Sequence, residues 1–218
     1  MPKQQVLLIE PFFTGSHAEW AKAYAMHSTH NVTVLSLGGQ HWKWRMHGGA
    51  VTLAKQFMAN KKYHTTDIII ASDMLDLSTF LALTRSKTHH AKTVTYFHEN
   101  QLTYPWSPND ADVSLKRDNH YQFINYKNAL CSDGIAFNSS YHKKSFLQAL
   151  PQFLQQFPDY KNLDTLKEIE AKTKVLYLGL ELKRFNEYKI NGTNNKAVLL
   201  WNHRWEYDKN PTDFFDAL

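Results

Sequence analysis

The stretch Asp67-Ile68-Ile69-Ile70-Ala71 runs through four consecutive apolar residues. A strand that is apolar on both faces is typical of a parallel sheet covered by helices, whereas antiparallel strands with one wet face alternate apolar and polar residues. This stretch therefore predicts a central parallel strand and, with it, an α/β fold.

Short strand-like runs alternate with longer helical patterns on both sides of that stretch. The predicted strands are residues 6–9, 32–35, 67–71, 93–97, 134–137 and 174–178, and the predicted helices are residues 17–26, 50–59, 75–83, 121–130, 139–149 and 163–171. Residues 38–49 and 98–118 are predicted to be loops. The alternation predicts a Rossmann-like parallel sheet with helices on both faces, in which ligands bind beyond the carboxyl ends of the strands.

The composition changes after the sixth predicted strand. Residues 187–196 are polar and rich in turn formers, which predicts a linker between a domain at residues 1–186 and a truncated second αβ domain at residues 197–218. Residues 197–201 read as the first strand of that second domain, and one strand with part of a helix cannot form a core by itself. The alternative is a seventh strand and a terminal helix that complete a single sheet.

Charge and cysteine content limit the function classes. The 218 residues carry a net charge of +5, which suits a polyanionic or phosphorylated partner without requiring one. Cys131 is the single cysteine, so an intramolecular disulfide is excluded and a reducing compartment is favoured. The apolar run at residues 6–9 is too short for a signal peptide, and no stretch approaches a membrane span, so we expect a soluble, cytoplasmic protein without a membrane partner.

The loop after the first predicted strand contains Gly15, Ser16 and His17. Gly15 can adopt a positive φ and let a ligand approach the backbone. We expect Ser16 to cap the following helix, whose free N–H groups would then face the same space and suit a phosphate or a sugar hydroxyl. An ordinary strand-to-helix turn is the alternative, so the loop is a candidate substrate-binding segment.

Aromatic and cationic residues are interleaved at Trp42, Trp44 and Arg45 in the predicted loop 38–49. Exposed aromatic side chains beside cations can stack nucleic-acid bases and contact phosphates. Because Trp is usually largely buried, these side chains can equally pack beneath the sheet. The three residues are candidate substrate-binding residues.

The sequence His98-Glu99-Asn100-Gln101 directly follows the fourth predicted strand. His98 is a candidate catalytic acid or base, or a donor to a sugar hydroxyl, and Glu99 is a candidate catalytic residue that orients it. Asn100 and Gln101 carry amides that can bind hydroxyl groups. No second His or Cys stands at ligand spacing, so no metal is predicted. The alternative is a His that only caps the strand end.

Two further positions are candidates for substrate contact. Asn138 follows the fifth predicted strand and can face the cleft, while the serines after it are expected to cap the next helix. Arg204 and Lys209 bracket a turn near the end of the chain, where two cations can hold a diphosphate. A solvated turn is the alternative for that pair.

Several motifs together resemble the tRNA-queuosine mannosyltransferase family, a branch of the family-4-like glycosyltransferases. They occur in order along nearly the whole chain. The motifs are Leu7-Leu8-Ile9-Glu10-Pro11-Phe12-Phe13-Thr14-Gly15-Ser16-His17, Trp42-Lys43-Trp44-Arg45, Tyr96-Phe97-His98-Glu99-Asn100-Gln101-Leu102-Thr103-Tyr104-Pro105, Phe137-Asn138-Ser139 and His203-Arg204-Trp205-Glu206-Tyr207-Asp208-Lys209-Asn210-Pro211.

The resemblance implies a GT-B fold, in which two Rossmann-like domains face a cleft. It implies retaining transfer of mannose from GDP-mannose without a metal or another cofactor, with the acceptor on the first domain and the nucleotide sugar on the second. By this resemblance Arg204 and Lys209 would bind the donor diphosphate, His98 would contact the transferring sugar, and Gly15 would match the glycine-bearing first loop. The implied partners are a nucleotide sugar and tRNA.

The paired-glutamate motif that family-4 enzymes carry late in the second domain is absent, so we expect these residues to be inactive alone. Two alternatives remain: a non-catalytic RNA-binding module, and a glycosyltransferase with a small-molecule acceptor. A nucleotide-sugar epimerase or dehydrogenase is disfavoured, because the first loop lacks a GxGxxG motif. The sequence does not indicate an oligomeric state.

Overall fold

The structure is a computed structural model that describes residues 2–107, 110, 112, 119–189 and 196–218. It divides into two compact units, one formed by residues 1–104 and 119–179 and the other by residues 105–118 and 180–218. In the described ranges, no helix is long and apolar enough to cross a membrane.

The first unit alternates strands and helices, as the sequence predicts. Its strands are β1 (Gln5–Phe13), β2 (Asn31–Gly38), β3 (Ile68–Ser72), β4 (Lys92–Phe97), β5 (Gly134–Phe137) and β6 (Thr173–Val175). In the described residues its α-helices are α1 (Gly15–His27), α2 (Trp42–Ala59), α3 (Leu77–Thr88), α4 (His120–Cys131), α5 (Ser140–Gln155) and α6 (Thr165–Ala171).

The six strands form one parallel sheet in the order β2-β1-β3-β4-β5-β6. The prediction of a Rossmann-like α/β fold is confirmed. The chain moves outward from β1 to β2 and then returns past β1 to β3. The carboxyl ends of β1 and β3 therefore flank a crevice of the kind in which open α/β sheets bind ligands.

The central strand β3 is covered on both faces, as the opening stretch predicts. Ile69 belongs to the core cluster that includes Phe57 of α2 and Phe80 of α3. Its neighbour Ile70 belongs to a different cluster, against which Trp20 of α1 packs. Successive side chains of a strand point to opposite faces, so the two clusters are the two sides of the sheet.

The predicted loop at residues 38–49 is wrong for most of its length, because α2 begins at Trp42. His41 precedes the helix in the left-handed conformation, with φ at 54°. Met46, Ala50 and Leu53 are fully buried on one side of this helix. Their spacing of four and three residues is a helical period, but the polar residues and the glycine pair between them hid it in the sequence.

Other helix and strand boundaries differ from the predicted ones by a few residues. Helix α3 begins at Leu77 rather than at residue 75, because the Asp76 side chain accepts from the backbone N–H of Thr79 and caps it. Strand β6 ends at Val175, earlier than predicted. Much of the predicted loop 98–118 lies outside the described residues, at positions 108–109, 111 and 113–118.

The second unit contains little regular structure. Its described elements are 3₁₀ turns at Leu182–Tyr188 and Tyr207–Lys209 and helix α7 (Pro211–Asp216). The predicted strand at residues 197–201 is wrong, since residues 197–200 form no strand and are exposed. A strand needs a neighbour to pair its backbone groups, and the described part of this unit supplies none. The predicted linker residues 190–195 lie outside the described residues.

Candidate active site

The loop after β1 places a buried carboxylate beside a histidine. Glu10 is fully buried; one of its oxygens accepts the backbone N–H of Phe12 at 2.8 Å, and the other lies 3.1 Å from Nδ1 of His17. Strand β1 continues through Glu10 to Phe13, so the carboxylate is held by the sheet and not by a mobile turn. Sequence reasoning missed Glu10, because the apolar run that marks the strand ends at Ile9.

Gly15 has φ at +49°, which confirms the predicted positive φ. A Cβ atom built at this position would meet no atom within 4 Å, so the space above the backbone is open to a ligand. The expectation that Ser16 caps the helix is wrong, because α1 already begins at Gly15 and the cap position is Thr14. The extended backbone of Thr14 turns the chain into the helix earlier than predicted.

His17 is a cation at neutral pH. Burial by itself lowers the pKa of its imidazole, but the hydrogen bond and charge of Glu10, together with the charges of Asp73 and Glu99, outweigh burial and raise the pKa to about 9. The loop that was predicted to bind a phosphate or a sugar hydroxyl thus also presents a fixed positive charge.

His98 follows β4 and is fixed through its backbone on both sides. Its N–H donates to Oδ1 of Asp73 at 2.8 Å, and its carbonyl accepts from Nδ2 of Asn138 at 2.7 Å. The imidazole ring centre lies 4.3 Å from that of His17 and 4.6 Å from the ring centre of Trp20. The carboxyl ends of three neighbouring strands therefore converge on this residue.

The His98 ring is neutral at pH 7. Burial, followed by the positive charge of His17 and by His142, lowers its pKa to about 3. Nε2 of His98 is buried and has no hydrogen-bond partner among the described residues. A buried polar atom of this kind is a candidate contact for a ligand group.

Asp73 follows β3 and was missed by the sequence reasoning. Burial, followed by the charge of Glu99, raises the pKa of its carboxyl well above the ordinary value, although His17 and the His98 N–H oppose this shift. In the described part of the chain, Oδ2 of Asp73 has no partner. The signal was present, since Asp73 comes directly after the buried strand that decides the fold.

Asn100, Gln101 and Glu99 form a loop with internal hydrogen bonds. Oδ1 of Asn100 accepts the backbone N–H groups of Leu102 and Thr103, both at 3.1 Å. The side chain of Gln101 donates to Glu99 at 3.5 Å. Asn100 and Gln101 are buried, so the loop shape depends on them. Their contacts to substrate, and the orientation of His98 by Glu99, stay predictions.

Asn138 lies at the end of β5 and connects two histidines. Its Nδ2 donates to the His98 carbonyl, and its Oδ1 lies 3.0 Å from Nδ1 of His142. Ser139 caps α5 by accepting the backbone N–H of His142 at 3.1 Å, as predicted for a serine here. Asn138 therefore positions His98, while its contact to substrate stays a prediction.

Trp42, Trp44 and Arg45 lie in the first turn of α2. Trp42 is half-buried and packs near Met46 and Tyr121, whereas Trp44 is 62% exposed. Nε of Arg45 donates to the Gly38 carbonyl at 2.9 Å. The structure thus separates two tryptophans that the sequence treats alike: Trp42 supports the helix and Trp44 faces outward.

The fold also brings a second histidine to His98, which the linear spacing could not reveal. Glu10, His17 and His98 each offer a ligand atom, and these atoms lie within 4.8 Å of one another. A carboxylate with two imidazoles is a donor set that suits zinc. However, His17 is protonated and hydrogen-bonded to Glu10, so a metal would have to displace that proton. The absence of a metal stays a prediction.

Comparison with known proteins decides the family. Residues 5–180 match the family described as tRNA-queuosine alpha-mannosyltransferase N-terminal. The chain belongs to this family. A Drosophila melanogaster protein named tRNA-queuosine alpha-mannosyltransferase is 33% identical over 225 residues, an alignment that covers 99% of this chain and 57% of the relative. The chain thus spans somewhat more than half the length of that relative, and the family resemblance of the sequence motifs is confirmed.

In this family member, Arg204 lies in the second unit before a 3₁₀ turn whose last residue is Lys209. Lys209 pairs with Asp208 at 2.8 Å, and this hydrogen bond is the main cause that lowers the pKa of the Asp208 carboxyl. Asn210 has φ at 50° and precedes Pro211, the first residue of α7. Both cations are exposed. Their role in binding a diphosphate stays a prediction.

Proposed function

We propose that this chain contributes the acceptor-side part of a cytoplasmic glycosyltransferase that transfers mannose from GDP-mannose to queuosine in tRNA with retention of configuration. Membership of the tRNA-queuosine alpha-mannosyltransferase family supports this proposal. The second Rossmann-like domain of a GT-B enzyme would begin near residue 197 and bind the nucleotide sugar.

The observation that carries the proposal is the pairing of a neutral His98 with a cationic His17 at the crevice between β1 and β3. A neutral imidazole whose Nε2 is unpartnered among the described residues can bond a mannose hydroxyl. An imidazolium beside it can stabilise negative charge that develops on the departing diphosphate. One chemical task is thus assigned to each ring.

The proposed transfer breaks the bond between the anomeric carbon and the β-phosphate oxygen of GDP-mannose. A new bond forms between that carbon and a hydroxyl oxygen of queuosine, on the same face of the sugar. The hydroxyl proton passes to the departing phosphate oxygen, so GDP leaves with the electron pair of the broken bond. Arg204 and Lys209 would add positive charge to the diphosphate. The proposal requires neither a metal nor another cofactor.

We further propose that these 218 residues do not transfer mannose alone. The chain spans 57% of the Drosophila relative, and the paired-glutamate motif of family-4 enzymes is absent from its sequence. Turnover of GDP-mannose by this chain would contradict this part of the proposal.

The test compares His98→Ala with His64→Ala in the whole protein that contains these residues. His64 is a matched control, because it is also half-buried, and it contacts the Phe57 carbonyl away from His98. We expect His98→Ala to lower kcat for mannosyl transfer by about 100-fold or more, a loss typical of one polar group that acts on the transition state. His64→Ala should retain the activity.

Three results would redirect the proposal. Unchanged transfer in folded His98→Ala would remove His98 from the chemistry. Binding of tRNA without any transfer by the wild-type whole protein would favour the RNA-binding module. Transfer to a small molecule with no tRNA modification would retain the glycosyltransferase and replace its acceptor.

A further inference from the structure

The Trp44 indole packs against Gly48 of its own helix, and the missing side chain of Gly48 makes this close approach possible. A Cβ atom on Gly48 would lie 2.7 Å from Cζ2 and 2.9 Å from Cε2 of the Trp44 indole. Contacts this short do not occur with a real side chain, so a residue with a Cβ would push the indole away. Residues four apart lie on the same face of a helix, which places the missing side chain directly beneath the ring.

The rest of the Trp44 side chain is largely exposed. Trp44 is 62% exposed, although tryptophan is usually highly buried. Trp42, two residues earlier, is half-buried and packs against the Met46 cluster. The first turn of α2 is therefore not exposed throughout, and Trp44 is exposed where Trp42 is not. An indole that is held against the helix on one side and is largely exposed can stack on another planar ring.

Two cationic residues flank Trp44 in the sequence. Lys43 and Arg45 are its sequence neighbours: the Lys43 ammonium lies 5.6 Å from the Trp42 ring centre, and the Arg45 guanidinium is held at the helix start by the Gly38 carbonyl. Cations beside an exposed aromatic face match a ligand that carries both phosphates and planar bases.

We propose that the exposed indole of Trp44 is a stacking platform for an unpaired base of the RNA acceptor. The inference rests on the proposed function for the identity of the acceptor and adds where that acceptor is held. Bases in single-stranded RNA can stack on aromatic side chains, whereas bases in a duplex are already stacked on each other. The platform therefore selects a loop or a splayed base and not a paired stem.

The experiment measures the affinity of the 218-residue chain for a queuosine-containing tRNA. The variants are Trp44→Ala, Trp44→Phe, Gly48→Ala and the control Tyr141→Ala. Tyr141 is a matched control, because it is an 82% exposed aromatic residue in the same unit. Base stacking on one aromatic ring corresponds to about 5-fold to 150-fold in affinity. We expect a loss in that range for Trp44→Ala, a smaller loss for Trp44→Phe, and no change for Tyr141→Ala.

Gly48→Ala is the sharpest variant, because it leaves every aromatic and charged group in place. Replacing a helix-interior glycine with alanine favours the helix, so thermal unfolding should not shift to lower temperature. The displaced indole should nevertheless weaken tRNA binding about as much as Trp44→Ala does. A single-stranded oligoribonucleotide should compete with tRNA, and an RNA duplex of equal length should compete poorly.

The proposal is overturned if Trp44→Ala or Gly48→Ala remains folded and binds tRNA like the wild type, if the duplex competes as well as the single strand, or if the wild-type chain binds no RNA. The proposed function fails separately, when the whole protein binds tRNA through Trp44 but transfers no mannose. Stacking also predicts that Trp44→Ala lowers affinity without changing its salt dependence, whereas Arg45→Ala should reduce the salt dependence.

Discussion

The imidazole rings of His17 and His98 lie 4.3 Å apart, and they hold opposite protonation states at neutral pH. The pKa of His17 is raised to about 9 and that of His98 is lowered to about 3. Burial is the largest cause of the His98 shift, and the positive charge that Glu10 stabilises on His17 lowers the pKa of His98 further.

The first prediction concerns Glu10→Gln. The pKa of His17 is higher in the folded state than its ordinary value of 6.5, so its ion pair with Glu10 stabilises the protein fully below pH 6.5. That stability is lost as the pH rises through about 9. We expect Glu10→Gln to lower the free energy of unfolding at pH 6 by roughly 1–3 kcal/mol and to flatten its decline between pH 6.5 and 9.

Urea denaturation at several pH values measures this difference. Glu19→Gln serves as the control, because Glu19 forms an exposed pair with Lys22 on the same helix and such pairs contribute little. Parallel pH dependence in the wild type and Glu10→Gln would show that Glu10 does not hold the proton on His17.

The second prediction concerns Asp73, whose carboxyl accepts the His98 N–H while buried. Asp73→Ala leaves that N–H without its acceptor, and we expect it to lower the free energy of unfolding by about 1–3 kcal/mol. Asp73→Asn retains an acceptor oxygen and should be less harmful. Because burial raises the pKa of Asp73, ionisation of this group destabilises the fold as the pH rises. Asp73→Asn should remove this contribution.

Thermal unfolding of both variants from pH 5 to pH 9 tests the assignment. The decisive comparison is between alanine and asparagine. Equal losses from the two substitutions would mean that the hydrogen bond to His98 contributes nothing measurable.

The third prediction concerns Gly15→Ala. The positive φ of 49° is unfavourable for alanine, while no atom lies within 4 Å of the new Cβ. We therefore expect a loss of about 1–2 kcal/mol from the backbone alone. Gly38 also has open space around it but no positive φ, so Gly38→Ala is the matched control and should cost little. Chemical denaturation of both variants measures the difference, and equal stabilities would exclude strain at Gly15.

The fourth prediction separates positioning of His98 from stability of the helix that follows Asn138. Asn138→Ala and Ser139→Ala should each destabilise the protein by about 1 kcal/mol, the first through the bond to the His98 carbonyl and the second through the cap of α5. Only Asn138→Ala should alter the environment of the His98 ring. A shift of the His98 side-chain NMR signals in Ser139→Ala, equal to that in Asn138→Ala, would contradict this assignment.

The sheet and His98 were predictable from local sequence, because apolar runs mark strands and ligands bind where parallel strands end. Glu10 was not, since β1 continues past its apolar run with Glu10 inside the strand. Its partner His17 comes seven residues later, and their contact depends on the turn at Thr14. Asp73 directly follows β3, as His98 directly follows β4. The rule that ligands bind where parallel strands end therefore predicts Asp73 as well as His98.

The different positions of Trp42 and Trp44 depend on tertiary structure. Both stand in the same short motif, and neither residue type nor spacing distinguishes them once α2 is mistaken for a loop. The helical period separates the two side chains, because it places Trp42 next to Met46 and Trp44 next to Gly48. The predicted strand at residues 197–201 was wrong for the converse reason: its apolar residues indicate a strand, but the described part of the second unit offers no partner.

The hydrogen bonds that fix His98 involve only its main chain, so the side chain at this position can be exchanged. Asp73 accepts the backbone N–H of His98 and Asn138 donates to its carbonyl, and neither hydrogen bond requires the imidazole. Removing the side chain should leave a small vacancy with its walls in place. Exogenous imidazole can then enter the vacancy of His98→Ala and restore part of the lost reaction, and an unnatural histidine analogue can be installed there without rebuilding the surrounding loop.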